Sequence, residues 1–246
     1  MSNKYTYGEI YAHVYEEYAA VQGKEAEVGE TVAFLKQYCN GGSALELGIG
    51  NGRVAIPLSE QGVNVEGIDN SCEMLKLVAK RTDLINAWQG DIAHFSSKQR
   101  YNLVYCVYFT FPLLFTREAQ IACLRSAAEA LDDEGALIIE LWVPDFNPRV
   151  AGQLTTTARL VDDENTIIDV SVHDPLNQNL ISTVLWFSGT SIRRLPQRVR
   201  YVYHQELDTM AECAGLELRE RWEDWSRSAF TKRSERHISV YRRSGS

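Results

Sequence analysis

The stretch Ala44–Leu58, ALELGIGNGRVAIPL, is an apolar run that breaks on Gly48, Gly50 and Gly52 and then resumes at helical spacing. Glycine belongs where the backbone takes a positive φ, or where another group must approach without meeting a Cβ. A strand, a bare turn and a helix in that order open a nucleotide-binding α/β unit. The dinucleotide spacing G-x-G-x-x-G would place its third glycine at position 53, which holds Arg53, and no Gly-Lys-Ser/Thr ending marks a phosphate loop. The turn therefore argues against nicotinamide, flavin and triphosphate ligands.

Hydrophobic period organises the rest of the chain. Helical spacing predicts two N-terminal helices, Tyr7–Ala20 and Lys24–Tyr38. Strand and helix then alternate: strands at Ser43–Leu47, Val63–Ile68, Ile85–Gln89, Tyr101–Phe109 and Ala136–Val143, with helices at Asn51–Gln61, Ser71–Arg81 and Thr116–Leu131. VNVEGI, NLVYCVYF and ALIIELWV are near-continuous apolar runs, as in a parallel sheet covered on both faces. From Thr155 to His204 the period becomes two, which predicts an antiparallel meander inserted into the core. A helix from Gln205 to Ala214 and two strands, Leu216–Trp222 and Arg236–Tyr241, complete the chain as a hairpin. The expectation is a single doubly wound, Rossmann-like α/β domain: a helical lid at 1–40, a core at 41–150 and 205–246, and an inserted antiparallel sheet at 151–204.

Composition bounds the partners. The 246 residues carry a formal net charge of −8, against the basic face that nucleic-acid binding requires. No apolar run reaches the roughly 20 residues of a membrane span, and the polar N-terminus is unlike a secretory signal. The five cysteines, Cys39, Cys72, Cys106, Cys123 and Cys213, are scattered and form no CxxC pair. They suggest neither a disulfide framework nor a metal site, and they fit a reducing cytoplasm.

Two carboxylates accompany the turn. Asp69, in VEGIDNS, lies about 20 residues beyond it, where an adenosine-type ligand needs an acceptor for its ribose hydroxyls. Asp91 follows the third strand in AWQGDIAHF. Together ELGIGNG, Asp69 and Gly90-Asp91-Ile92 resemble the motifs of class I S-adenosylmethionine-dependent methyltransferases, in their small-molecule branch. The resemblance covers roughly residues 40 to 145, and LELRERW and HISVYRR match the family's final reversed hairpin. It implies S-adenosylmethionine as cofactor and S-adenosylhomocysteine as product. Glu46 and the turn residues Gly48, Gly50, Asn51, Gly52 and Arg53 would lie at the methionine end. Asp69 would take both ribose hydroxyls, Asn70, Ser71 and Met74 would flank the adenine, Asp91 would read its amine and Ile92 would pack on its ring. Val107, on the fourth strand, would complete the contacts. A-H-V-Y-E resembles the lid segment A-x-x-Y-D of related enzymes, which puts Tyr15 on the cofactor. Asn102 stands where the family has an acidic residue at the start of the fourth strand.

Displacement at a sulfonium expels a neutral leaving group and needs neither metal nor covalent intermediate, so positioning and desolvation can do most of it. A base is required only where the nucleophile arrives protonated. The candidates are His13 on the lid, His204 after the insertion, and Tyr108; each histidine also reads as a solvated or capping residue. Tyr108 and Trp142, at the ends of the fourth and fifth strands, would floor the acceptor pocket, and Trp186 on the insertion would roof it. Tyr108-Phe109-Thr110-Phe111 occupies the place of an N/D-P-P-Y/F motif, which disfavours nucleic-acid amines. The expected activity is methyl transfer to N or O of a small molecule. The alternatives are a protein or peptide methyltransferase and a non-catalytic cofactor-binding scaffold, with the outer edge of the insertion available to pair two subunits.

Overall fold

A computed structural model describes residues 7–21, 26–145 and 154–245. Seven α-helices are described: α1 (Tyr7–Tyr11), α2 (Tyr15–Val21), α3 (Val28–Cys39), α4 (Ala55–Glu60), α5 (Cys72–Arg81), α6 (Arg117–Ala130) and α7 (His204–Cys213), with a single 3-10 turn at Phe111–Leu113. The core strands are β1 (Ser43–Leu47), β2 (Asn64–Asp69), β3 (Asn86–Gln89), β4 (Tyr101–Cys106) and β5 (Leu131–Trp142). The insertion contributes β6 (Leu154–Val161), β7 (Asn165–Asp174), β8 (Asn179–Ser188) and β9 (Ser191–Arg200), and the chain closes with β10 (Leu216–Trp222) and β11 (Arg236–Arg243). The expected start of the second helix at Lys24 and the insertion boundary at 150–151 lie outside the described residues.

The seven-stranded sheet has the order β10-β11-β5-β4-β1-β2-β3, parallel from β5 to β3, with β11 antiparallel to both β5 and β10. Alternation along the strands divides the core. Leu45, Leu47, Val104, Cys106, Leu137, Ile139 and Leu141 pack under α6 and α7, while Ala44, Leu103, Tyr105, Ala136 and Ile138 face the α3–α4 side. Burial on both faces is why these strands read as unbroken apolar runs. The order turns back between β1 and β4, so the connections leaving these strands diverge and open a crevice at their carboxyl ends.

Three sequence expectations shift locally. The first helix breaks at residues 12–14 into α1 and α2, and the break lets Tyr11 and Tyr18 pack under the insertion while Tyr15 lies near the glycine turn. The expected helix from Asn51 starts only at Ala55, because Gly50 and Gly52 hold positive φ values of 55° and 78°, outside helical backbone. The fourth strand stops at Cys106 rather than Phe109, because Tyr108 and Phe109 take φ of 52° and 62°.

The insertion is a four-stranded antiparallel meander, β6-β7-β8-β9. Its inward face seats Ile167, Val184, Trp186 and Leu195 against Tyr11, Tyr18 and Met74. The alternating pattern of the sequence is thus satisfied by the N-terminal helices rather than by the large sheet.

Candidate active site

The glycine turn is tied to the sheet at its base, where the N–H groups of Gly48 and Ile49 both donate to Ile68 O, at 2.8 and 3.0 Å. Gly48, with φ 77°, could carry no side chain, since a Cβ there would lie 2.3 Å from Thr110 Cγ2. Gly50 differs: nothing lies within 4 Å of the position its Cβ would take. Its N–H donates to Asp69 Oδ2 at 2.8 Å, and Ser71 N–H donates to Oδ1 at 2.9 Å. A carboxylate offers about four acceptor sites, so Asp69 keeps capacity for further donors. Burial raises its carboxyl above the ordinary value, and the two backbone bonds oppose the rise. Ser71, not Asp69, caps α5 by accepting from Met74 N at 3.2 Å.

Two buried carboxylates project from the sheet toward the α3–α4 side. Glu46 accepts from Tyr105 OH at 3.2 Å, and burial pushes its carboxyl up to about 8. Glu140 accepts from the backbone N–H of Tyr108 at 2.7 Å and pairs with Arg236 at 3.4 Å; burial raises its carboxyl too. Arg53 acts electrostatically on both. Its guanidinium carbon lies 3.5 Å from the centre of the Tyr108 ring and 5.7 Å from that of Tyr15, and its buried Nε and Nη1 have no hydrogen-bond partner among the described residues. Asn51, also buried, has an unpartnered Oδ1.

A cavity of about 1610 Å³ runs from this turn to the insertion. Ligand pockets are typically roughly 300–1,000 Å³, so there is room for a nucleoside cofactor and an acceptor together. Of the residues expected at the cofactor, Tyr15, Gly48, Gly50, Asp69, Asn70, Met74, Asp91 and Ile92 line the cavity. Glu46, Asn51, Gly52, Arg53, Gly90 and Val107 do not; they stand behind the wall, Gly90 donating to Asp69 O at 2.9 Å and Val107 O accepting from Thr110 Oγ1 at 3.1 Å. Tyr108 and Trp142 line it, with Phe109 edge-on to Trp142 at 5.7 Å.

The remaining three expectations fall elsewhere. His13 is exposed in the break between α1 and α2, off the cavity, because the broken helix turns tyrosines inward at that point. His204 packs edge-on against Phe230 and His237, at 5.2 and 6.2 Å, on the α7 side of the sheet. Trp186 is fully buried against Tyr18 at 5.7 Å, under Arg193, and donates to Asn165 Oδ1 at 3.0 Å. It packs α2 against the insertion and is absent from the cavity wall.

The donor set suits S-adenosylmethionine. The amino-acid end of the cofactor carries an ammonium and a carboxylate; beneath the turn stand a buried carboxylate, Glu46, and a guanidinium with orphaned N–H groups, Arg53. Beyond the turn, Asp69 has spare acceptor capacity and Asp91 and Ile92 frame the far end. Comparison with known proteins agrees. A methyltransferase-domain family model matches residues 44–135. The chain is 35% identical to the CcbJ methyltransferase from Streptomyces caelestis, covering 99% of this chain and 100% of that one, with a TM-score of 0.87.

The chain belongs to the class I S-adenosylmethionine-dependent methyltransferases.

Two further relatives of this methyltransferase are a cypemycin N-terminal methyltransferase from a Streptomyces species and a dTDP-3-amino-3,6-dideoxy-alpha-D-glucopyranose N,N-dimethyltransferase from Streptomyces fradiae. The first is 25% identical over 206 residues, 83% of this chain and 84% of that protein. The second is 28% identical over 139 residues, 55% and 54% of the two chains. The methyltransferase is an enzyme, S-adenosylmethionine is its methyl donor, and the reading of a non-catalytic scaffold is set aside.

The geometry also brings in residues not expected at the site. Tyr7, Gly8, Tyr11 and Tyr18 wall the cavity from α1 and α2, and residues 232–235 wall it from the approach to β11. Glu140, a lone charge inside the apolar run ALIIELWV, was the signal available for the Tyr108 loop. Among the described residues no group of three histidine, cysteine or acidic side chains could hold a metal, and no helix is long and apolar enough to cross a membrane.

Proposed function

We propose that the enzyme N-methylates an amine on a small natural product, with the lid and the insertion enclosing the acceptor. The observation that carries this is the composition of the cavity wall, where no histidine stands among the described residues. An alcohol is a poor nucleophile until a base takes its proton, whereas an amine attacks through its own lone pair once neutral. In the proposed step that lone pair attacks the sulfonium-bound methyl carbon, the C–S bond breaks, neutral sulfide leaves, and the nitrogen then loses a proton. Asp145 and Glu235, both on the wall, can pass this ammonium proton on to water, a lesser demand than taking the far less acidic proton of an alcohol. The names of both curated relatives support nitrogen as the acceptor atom, and the first keeps open the terminal amine of a short peptide.

Gly48 and Gly50 would face the methionine end, with the charges of Glu46 and Arg53 acting on it from behind the turn; Asp69 would hold the ribose and Asp91 with Ile92 the adenine, and Tyr108 and Trp142 would floor the acceptor. The test is transfer from methyl-labelled S-adenosylmethionine to a panel of amines, short peptides and structurally matched alcohols. Methylation of alcohols with every amine inert would overturn the reading. The five free cysteines fit a cytoplasmic enzyme. Exposed Ile181 and Ile192 on the insertion support a homodimer through that sheet, which light scattering of Ile181→Asp against the parent protein would test.

A further inference from the structure

At Ala158–Leu160 the ladder between β6 and β7 slips: Ala158 pairs with Ile168 and Leu160 with Ile167, so Arg159 is the extra residue of a β-bulge. Bulges re-aim a side chain at the expense of a ladder position, and they concentrate beside active sites. Here Arg159 lines the cavity on the same face as Thr157 two residues earlier, and the extra residue lets Leu160 pack inward beside it.

Arg159 is also held from behind. Its Nε and Nη2 donate to the same atom, Asp169 Oδ2, at 3.1 and 2.5 Å. The Asp169 side chain is only 5% exposed and its Oδ1 has no partner among the described residues, whereas the Arg159 side chain is 50% exposed. A carboxylate taken out of water is costly, and one guanidinium edge offsets that cost. A pairing meant only to neutralise Asp169 would use both oxygens in the parallel fork that arginine and carboxylate favour. Instead one oxygen takes both donors, and the Nη1 group is left with no ion-pair or hydrogen-bond partner among the described residues.

We propose that Arg159, anchored by Asp169, is an anion-recognition subsite of the acceptor pocket, and that the acceptor carries a carboxylate or phosphate group remote from its amine. This deepens the amine reading above and rests on it. The free edge of a planar guanidinium is matched to such groups, and a pre-ordered side chain loses less conformational entropy on binding them.

The test begins without an acceptor. The S-adenosylhomocysteine complex is titrated calorimetrically with inorganic phosphate and with acetate, in the parent enzyme, Arg159→Ala and Arg159→Lys. At least one anion should bind the parent, at least tenfold more weakly to Arg159→Ala, and with intermediate strength to Arg159→Lys. Failure of both anions to bind the parent, or equal binding to the alanine variant, would overturn the subsite. Two probe pairs then separate the sources of the anion: alanyl-alanine against alanyl-alaninamide, and a nucleoside-diphosphate amino sugar against the free amino sugar. Within one pair the anionic member should show the lower KM, and that preference should collapse in Arg159→Ala. Methylation of amines with no such preference would leave the amine reading standing and the subsite refuted. Anion binding through Arg159 with methylation of alcohols alone would do the reverse.

Discussion

Glu140, buried on β5, accepts a 2.7 Å hydrogen bond from the backbone N–H of Tyr108, the first of two consecutive aromatic residues held at positive φ. Side chains with a Cβ enter that region at a cost of roughly 1–2 kcal/mol per residue, so the loop after β4 persists because its surroundings over-determine it. The same carboxylate pairs with Arg236, linking the loop to the last strand.

Glu140→Ala should therefore loosen the loop without removing any group that touches substrate. Loss of a hydrogen bond to a charged group costs about 1.5–3 kcal/mol, and the melting temperature should fall accordingly. Turnover should fall further than cofactor affinity, because Tyr108 and Phe109 would lose their aim. Calorimetric Kd values for S-adenosylhomocysteine beside kcat measurements check the split; equal losses in both would indicate global softening instead.

Asp69→Ala removes the acceptor that stands between Gly50 and Ser71. Cofactor affinity should weaken by about 1.5–3 kcal/mol, the range for a hydrogen bond to a charged group. Because Ser71 supplies the cap of α5, the helix should survive, and circular dichroism of the variant should match the parent. An unchanged Kd would leave Asp69 a turn-stabilising residue only.

Gly48 and Gly50 should separate folding from binding. Gly48→Ala drives a Cβ into Thr110 and strains a positive φ, so it should destabilise the protein outright. At Gly50 the added methyl meets no protein atom, and the cost should be confined to roughly 1–2 kcal/mol of left-handed strain. Cofactor affinity should nevertheless fall by at least tenfold if, as proposed, the methionine end of the cofactor takes up that open space. A Gly50→Ala protein that binds normally would refute that assignment.

Burial lifts Glu46 to about 8 from the ordinary 4.5, so between those values the folded protein holds a proton that the unfolded chain has released. Stability conferred by the protonated form is present below the unfolded value and declines as pH rises through this window. A ligand cation beside Glu46 favours the ionised form, so cofactor binding at pH 7 should release protons, and affinity should grow toward pH 8. Calorimetry in buffers of differing ionisation enthalpy reads the release directly. Glu46→Gln should abolish the part that Glu46 contributes, and a variant with the parent's proton count would place the titration elsewhere.

The large sheet and the turn were legible because their signals are local: apolar runs of strand length, glycines at fixed intervals, and Asp69 and Asp91 at strand ends. What sequence reading displaced was decided at long range. Trp186 alternates correctly for an inward face, but whether that face meets a ligand or α2 depends on where residues 7–21 dock. His204 opens α7 as expected, yet the α7 packing turns its ring toward Phe230 and His237. Tyr108 read as strand because its neighbours are apolar and aromatic; its left-handed backbone is held from β5, 32 residues away. Arg159 shares the period-two face of Thr157, but its role depends on Asp169, which the sequence places ten residues away on the next strand.

The cavity draws its donor-side lining mainly from one stretch, residues 48–110, and its opposite lining from the N-terminal helices, the end of β5, the strands inserted after it and residues 232–235. The insertion pairs only within itself as a sheet and meets the remainder through side chains. Inheritance can therefore act on the two halves at different rates. A lineage is able to exchange the four-stranded meander, and with it the range of acceptors, while the machinery for the common methyl donor stays fixed. Chimeras that keep residues 41–145 and borrow the meander of a relative, together with its matching lid, should bind donor as the parent does and follow the acceptor preference of the borrowed part.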